Sequence, residues 1–111
     1  MPWFRLEDSF YNHPKVNRAG NAATGLWVRC GTYSAQYLTD GHVPAEVARV
    51  FGRTREIVSL LEAHLWEENG DGFLIPDYLE YNPSKDQVLA DRAAARERQA
   101  RRRRDQHGKF E

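Results

Sequence analysis

The chain has 111 residues, with sixteen Lys and Arg balanced by sixteen Asp and Glu, so its formal net charge at neutral pH is zero. This length favours one domain. Its single cysteine, Cys30, excludes an internal disulfide, and the absence of an apolar leader or of an apolar run of membrane-spanning length predicts a cytoplasmic protein with no membrane partner.

The first forty residues predict a short strand, a short helix and then a long helix. The brief alternation in residues 3–6 is typical of a strand, and residues 15–19 are expected to form a helix that Gly20 ends. Asn21 is the expected N-cap of the long helix. Side chains at three- and four-residue steps predict its buried face: Ala23, Leu26, Trp27, Cys30, Tyr33, Ser34 and Tyr37. The core is expected to include all three tryptophans, Trp3, Trp27 and Trp66.

The segment from Gly41 to Ile75 predicts two short helices joined by a tight turn. His42-Val43 is expected to be the first of three strands. Residues 44–51 predict a helix with Pro44 in its first turn and Phe51 facing inward, because proline suits that position. After the turn at Gly52-Arg53, residues 54–64 predict a second helix, with Thr54 as its N-cap and Ala63 on its outer face.

The next residues predict a β-hairpin, with strands at 65–66 and 73–75. Asn69-Gly70-Asp71-Gly72 between them is a strong turn signal. A helix-turn-helix closed by such a hairpin makes a winged helix, which most often holds duplex DNA. The predicted fold class is therefore α+β, mostly α: a winged helix-turn-helix with a small β-hairpin wing.

The C-terminal part predicts a projecting basic helix. Ser84 and Gln87 form a capping-box pattern, and a helix with few large apolar residues is expected from Lys85 to about Arg104. Residues 1–82 hold seven basic and eleven acidic residues, a net charge of −4, whereas residues 83–111 hold nine and five, a net charge of +4. We therefore divide the chain into a winged-helix domain at 1–82 and a basic, partly helical tail at 83–111.

Two groups of residues are the candidate DNA contacts. The first lies at the start of the second short helix, where DNA readers usually place base and phosphate contacts: Arg53, Thr54, Arg55 and Ser59. The second is the arginine-rich tail, which supplies sequence-independent attraction for phosphate: Arg92, Arg96, Arg98, Arg101, Arg102, Arg103 and Arg104. Both have an alternative interpretation as solvated helix surfaces, with Arg101 paired to Glu97. Acidic residues in the predicted wing should keep it away from phosphate.

No pattern predicts catalysis, a metal or a cofactor. The four histidines are scattered and none lies at metal-ligand spacing from Cys30, which is expected to be a small core residue. The glycines at 70 and 72 lie in a hairpin rather than before a helix, so they do not form a phosphate loop. We therefore expect a protein that is not an enzyme.

Four segments carry a resemblance to a known family: Trp3-Phe4-Arg5-Leu6-Glu7-Asp8-Ser9-Phe10, His13-Pro14-Lys15-Val16, Leu26-Trp27-Val28-Arg29 and Asp40-Gly41-His42-Val43-Pro44. Over residues 2–82 the chain resembles the N-terminal winged-helix domain of phage and prophage replication initiators of the replisome-organiser type, and it is distantly similar to DnaD-like primosomal winged helices. The resemblance implies DNA binding or primosome contact without catalysis, in a bacterium or a phage-infected host cell. Longer members carry a further C-terminal region at the place of the basic helix.

These observations favour a protein that binds duplex DNA in phage-type replication initiation or its regulation, with replication proteins as further partners. The alternatives are a module for protein–protein interaction or self-assembly in a primosome-like complex, as a homo-oligomer, and a small transcriptional regulator. The charge asymmetry favours DNA, whereas the acidic wing and the mixed charges of the second short helix favour protein contacts.

Overall fold

The computed structural model describes residues 2–108, and their side chains as far as residue 105. It confirms a mostly helical α+β chain with a small three-stranded antiparallel sheet. The α-helices are α1 (Pro14–Ala19), α2 (Asn21–Tyr37), α3 (Ala45–Phe51), α4 (Thr54–Glu62), α5 (Tyr78–Tyr81) and α6 (Lys85–Gly108), and a short 3-10 helix, Phe10–Asn12, precedes α1. The strands are β1 (His42–Pro44), β2 (Glu67–Asn69) and β3 (Gly72–Leu74).

The N-terminal segment is irregular, so the strand predicted at residues 3–6 is wrong. The backbone N–H of Arg5 donates to Asn82 Oδ1 at 2.8 Å rather than to a neighbouring strand. Phe4 packs inward against Trp27, with ring centroids 5.0 Å apart, whereas Trp3 is 82% exposed. The prediction that Trp3 lies in the core is therefore wrong, because an irregular segment does not alternate inward and outward as a strand does.

Helix α2 runs through the middle of the fold and buries one face, as its periodicity predicted. Its N-cap is Gly20 at φ 86°, a left-handed backbone value, so the assignment of Asn21 as N-cap is wrong. Leu38, also at positive φ, ends the helix. Tyr37 is 61% exposed, which corrects its predicted place in the core.

The two short helices follow β1. Pro44 ends β1 and precedes α3 rather than lying in its first turn. Arg53, not Thr54, is the N-cap residue of α4. The helix ends at Glu62, before the predicted His64, because His64 has a positive φ of 61°. Ala63 is buried and Phe51 is 46% exposed, which reverses both predicted orientations.

The hairpin completes the sheet in the order β1-β3-β2. Phe73 of the central strand β3 pairs with Val43 of β1 on one side and with Glu68 of β2 on the other. The first hairpin strand begins at Glu67, so the predicted strand at residues 65–66 is wrong; Trp66 instead lies buried before the strand and stacks on Phe73. A Cβ at Gly72 would lie 2.3 Å from the Val43 carbonyl oxygen, so this position needs glycine for close approach of the strands.

The core lies where α2 meets α4, α3 and the sheet. It is built largely from large apolar side chains: Leu26, Trp27, Val43, Ile57, Leu60, Trp66, Ile75 and Tyr78. Burial of this apolar surface is the main stabilising term for a fold of this size. No helix within residues 2–108 is both long and apolar enough to cross a bilayer.

Helix α6 starts on this body and then leaves it. The predicted capping box is confirmed: Ser84 Oγ accepts from the Gln87 N–H at 3.2 Å, and Gln87 Oε1 accepts from the Ser84 N–H at 2.8 Å. Val88 is buried, but the side chains beyond it that the structure describes are exposed, apart from the half-buried Ala95. The helix continues to Gly108, four residues past its predicted end. The longest dimension of the molecule is accordingly 66 Å.

Candidate nucleic-acid interface

The turn between α3 and α4 brings the start of α4 close to α2. A Cβ at Gly52 would lie 2.4 Å from a methyl carbon of Leu26. Gly52 has an extended backbone at φ −141°, so its role is close packing rather than a left-handed turn. The residues that follow this turn, Arg53 to Arg55, are held at the surface beside α2.

The exposed face of α4 carries both charge and apolar surface. Arg53, Thr54 and Arg55 are exposed at its N-terminal end, and Val58 and Glu62 continue the same face. Ser59 is half-buried, and its hydroxyl donates to the Arg55 carbonyl oxygen at 2.9 Å. Ser59 therefore offers a partner only its acceptor lone pairs, while the two arginines keep their donors available.

A groove of about 630 Å³ lies between the start of α4 and the start of α2. Its lining combines both helix ends: Gly20, Asn21, Ala22 and Ala23 from one side, and Arg53, Thr54, Arg55, Glu56 and Ser59 from the other. Among the described residues, no side chain caps either helix N-terminus. The free backbone N–H groups and the positive ends of two helix dipoles favour an anion beside the arginines, and Glu56 opposes it.

The tail begins at the end of α2 opposite to the arginines of α4. The groove is at the N-terminal end of α2, whereas the Lys85 N–H donates to Asp40 Oδ1 at 2.7 Å, just beyond its C-terminal end. A helix of 17 residues spans about 25 Å. The structure therefore brings together Arg53, Thr54, Arg55 and Ser59, and it keeps the start of the tail apart from them.

All seven predicted tail arginines are exposed on α6. Arg101 forms an ion pair with Glu97 at 2.8 Å, the i,i+4 pair that the sequence predicted. Both side chains are largely solvated, so the pair contributes at most about 0.5 kcal/mol to helix stability.

The hairpin is acidic, as its sequence indicated. Every residue of β2 is exposed, Glu67 and Glu68 among them, and Asp71 in the following turn is exposed as well. These carboxylates would repel a phosphate backbone, so the hairpin side of the fold is a poor nucleic-acid contact.

Sequence reasoning missed an exposed apolar face between α2 and α3. Val50 is 74% exposed, and Arg29 stacks over the Phe51 ring at 5.4 Å. With their neighbours they form a groove of about 520 Å³, here called the α2–α3 face: Arg29, Thr32, Tyr33, Gln36, Tyr37, Val47, Val50 and Phe51. The spacing of Tyr33 and Tyr37 along α2 predicts a place in the core, but periodicity alone does not tell a buried stripe from a solvent-facing one.

Cys30 is placed as the sequence predicted, inside the core. Burial raises the pKa of its thiol to about 11, so it stays protonated at neutral pH and is a poor nucleophile. Among the side chains that the structure describes, those of residues 2–105, no three His, Cys, Asp or Glu are grouped to hold a metal ion.

Comparisons with known proteins leave the family of this chain open. No protein-family model matches the sequence, and no solved structure matches it. The chain is 29% identical over 97 residues to the acetyl-coenzyme A carboxylase carboxyl transferase subunit beta of Pelobacter propionicus. The match covers 77% of this chain and 32% of that subunit, so the chain spans about a third of the relative's length.

Proposed function

We propose that this chain is a winged-helix protein that binds duplex DNA, in phage-type replication initiation or its regulation. The replication role follows from the resemblance of residues 2–82 to replisome-organiser proteins. The DNA-binding role rests on the groove between α2 and α4, where Arg53 and Arg55 are exposed.

The order of elements supports the winged-helix assignment. A helix, a strand, two short helices and a hairpin follow one another as α2, β1, α3, α4 and β2–β3. In the sheet order β1-β3-β2, strand β3 pairs with β1, so the hairpin formed by β2 and β3 continues the sheet beyond β1. The proposal gives α4 the role of the helix that enters the major groove and gives the hairpin the role of the wing.

The exposed arginines at the start of α4 carry the binding proposal. A recognition helix contacts base edges with its N-terminal residues, and arginine is the side chain that most often reads guanine. Thr54 lies between the two arginines and is also exposed. The groove floor, with its two helix N-termini, is suited to a phosphate beside the bases that the arginines contact.

Base reading by these arginines is tested by selecting bound sequences from a random duplex library. Arg53→Ala and Arg55→Ala should each cost about 1–3 kcal/mol on the selected site and relax preference at one base position. Arg5→Ala is the control, because Arg5 lies in a separate cavity with Phe4 and Tyr78. Unchanged preferences in both α4 variants would count against a reading role for α4.

The α2–α3 face supports a second candidate, self-assembly through a second copy of the chain. An exposed apolar face of this kind marks an interaction site more often than a solvated surface. Val50→Asp should then lower the self-association constant, while Leu79→Asp, at an exposed apolar residue of α5 outside this face, should leave it unchanged. Sedimentation equilibrium measures the association constants of the unmodified chain and of both variants. An unmodified chain that is monomeric at all accessible concentrations would contradict self-assembly.

A further inference from the structure

The arginines of α6 are not distributed evenly around the helix. Lys85, Arg92, Arg96 and Arg103 are separated by seven, four and seven residues. At about 100° per residue, these separations place all four residues on one side of an α-helix. Lys85 and Arg103 are eighteen residues apart, which is five full turns, so they lie at the same angle around the helix axis. We call these four residues the cationic stripe. Gln99, seven residues after Arg92, lies in line with it and adds a neutral hydrogen-bonding side chain.

The acidic residues of α6 lie away from the cationic stripe. Asp86, Asp91, Glu97 and Asp105 are each displaced from the middle of the stripe by about 100° or more around the helix. A helix that appears charge-mixed in sequence therefore separates its charges in space. One side is cationic over its length, and the other carries all four carboxylates together with arginines such as Arg101, which is paired to Glu97.

The run of four arginines at residues 101–104 does not form one surface. Four consecutive helical residues are spread over about 300°, so a partner lying along one side of α6 contacts at most one or two of them. Only Arg103 belongs to the cationic stripe. From this geometry we expect a partner along one side of α6 to contact residues spaced over the whole helix rather than the C-terminal run.

The first turns of α6 are fixed to the body of the protein. Ser84 and Gln87 cap the helix, Val88 is buried, and the Lys85 N–H bonds to Asp40. The stripe side chains are all exposed. The stripe is thus presented on a formed helix whose start is fixed to the body, rather than on a chain that must be ordered before it binds.

We propose that the cationic stripe lies along the phosphate backbone of duplex DNA, as a second contact separate from the α4 groove. This inference rests on the proposed DNA-binding function. From Lys85 to Arg103 the stripe spans about 27 Å, most of one helical turn of B-DNA, and a duplex offers a negative charge about every 1.7 Å of its axis. No acidic residue of α6 lies on the same side as these cations, and phosphate recognition depends more on such charge than on the shape of the contact.

Two triple variants with the same change in charge test the proposal in the full chain. The stripe variant is Arg92→Gln/Arg96→Gln/Arg103→Gln, and the control is Arg98→Gln/Arg101→Gln/Arg104→Gln, whose residues lie on other sides of α6. Glutamine has nearly the helix propensity of arginine, and circular dichroism should show equal helicity. The readout is the slope of log affinity against log salt for a random-sequence duplex.

The stripe variant should reduce the magnitude of this slope by about 2.7, since each phosphate contact contributes about 0.9, and the control should change it by less than about 1. Equal slopes in the two variants would overturn the stripe while leaving the α4 contact standing. If the unmodified chain does not bind duplex at all, or binds vesicles of anionic phospholipid instead, the proposed function falls together with the stripe.

Discussion

Replacing Trp27 by alanine tests the packing that joins the N-terminal segment to α2. The Trp27 side chain is 8% exposed, and its ring lies 5.0 Å from the ring centroids of both Phe4 and Phe10. Truncating a buried tryptophan costs about 3–5 kcal/mol. In the described residues its indole N–H has no acceptor, and removing an unpaired buried donor returns about 1–3 kcal/mol, so we expect a net loss of about 2 kcal/mol.

Urea unfolding followed by far-ultraviolet circular dichroism measures this loss. Trp3→Ala is the matched control, because Trp3 is 82% exposed and its removal should change stability by about 0.5 kcal/mol or less. Trp27→Phe keeps a ring and removes the unpaired N–H, so it should cost about 1 kcal/mol or less. Equal midpoints for Trp27→Ala and Trp3→Ala would refute the described core.

Two further predictions concern the end of the folded body and the buried thiol. Truncation after Asn82 should destabilise the protein by about 1.5–3 kcal/mol relative to truncation after Ala90, because only the longer form keeps buried Val88; equal urea midpoints would place the end of the body at residue 82. Burial raises the Cys30 pKa from 9.0 to about 11, so the folded state holds this proton after the unfolded state has lost it. Stability should therefore fall by about 2 kcal/mol between pH 9 and 11, and Cys30→Ala should lack this component; parallel pH profiles for the two proteins would contradict it.

Apart from the short helix α5, which no local pattern predicts, the helices and the order of elements could be predicted from the sequence because their signals are local. The apolar spacing along α2, the Ser84–Gln87 capping box and the glycine-rich turn before Gly72 each act within a few residues. The acidic hairpin and the basic tail follow directly from composition. These features also define the first candidate site, since Arg53 and Arg55 follow a turn that the sequence predicted.

The errors arise where a residue's place depends on distant parts of the chain. Trp3 resembles a core residue beside Phe4, yet the Arg5–Asn82 bond holds the segment in an irregular path. Tyr37 and Phe51 continue periodic faces, but no described element covers them. Likewise, α6 begins near the C-terminal end of α2, whereas Arg53 lies near its N-terminal end. Only tertiary contacts determine this separation.

The salt dependence of affinity for a random-sequence duplex tests DNA binding by the α4 groove most directly. It compares the unmodified chain with Arg53→Ala/Arg55→Ala and with Arg5→Ala/Lys15→Ala, which removes the same charge from the separate cavity that those two residues line. We expect the first variant to bind more weakly, with a slope reduced in magnitude by up to about 1.8, and the second to match the unmodified chain. Equal constants and slopes for the two variants would contradict a DNA contact at the start of α4.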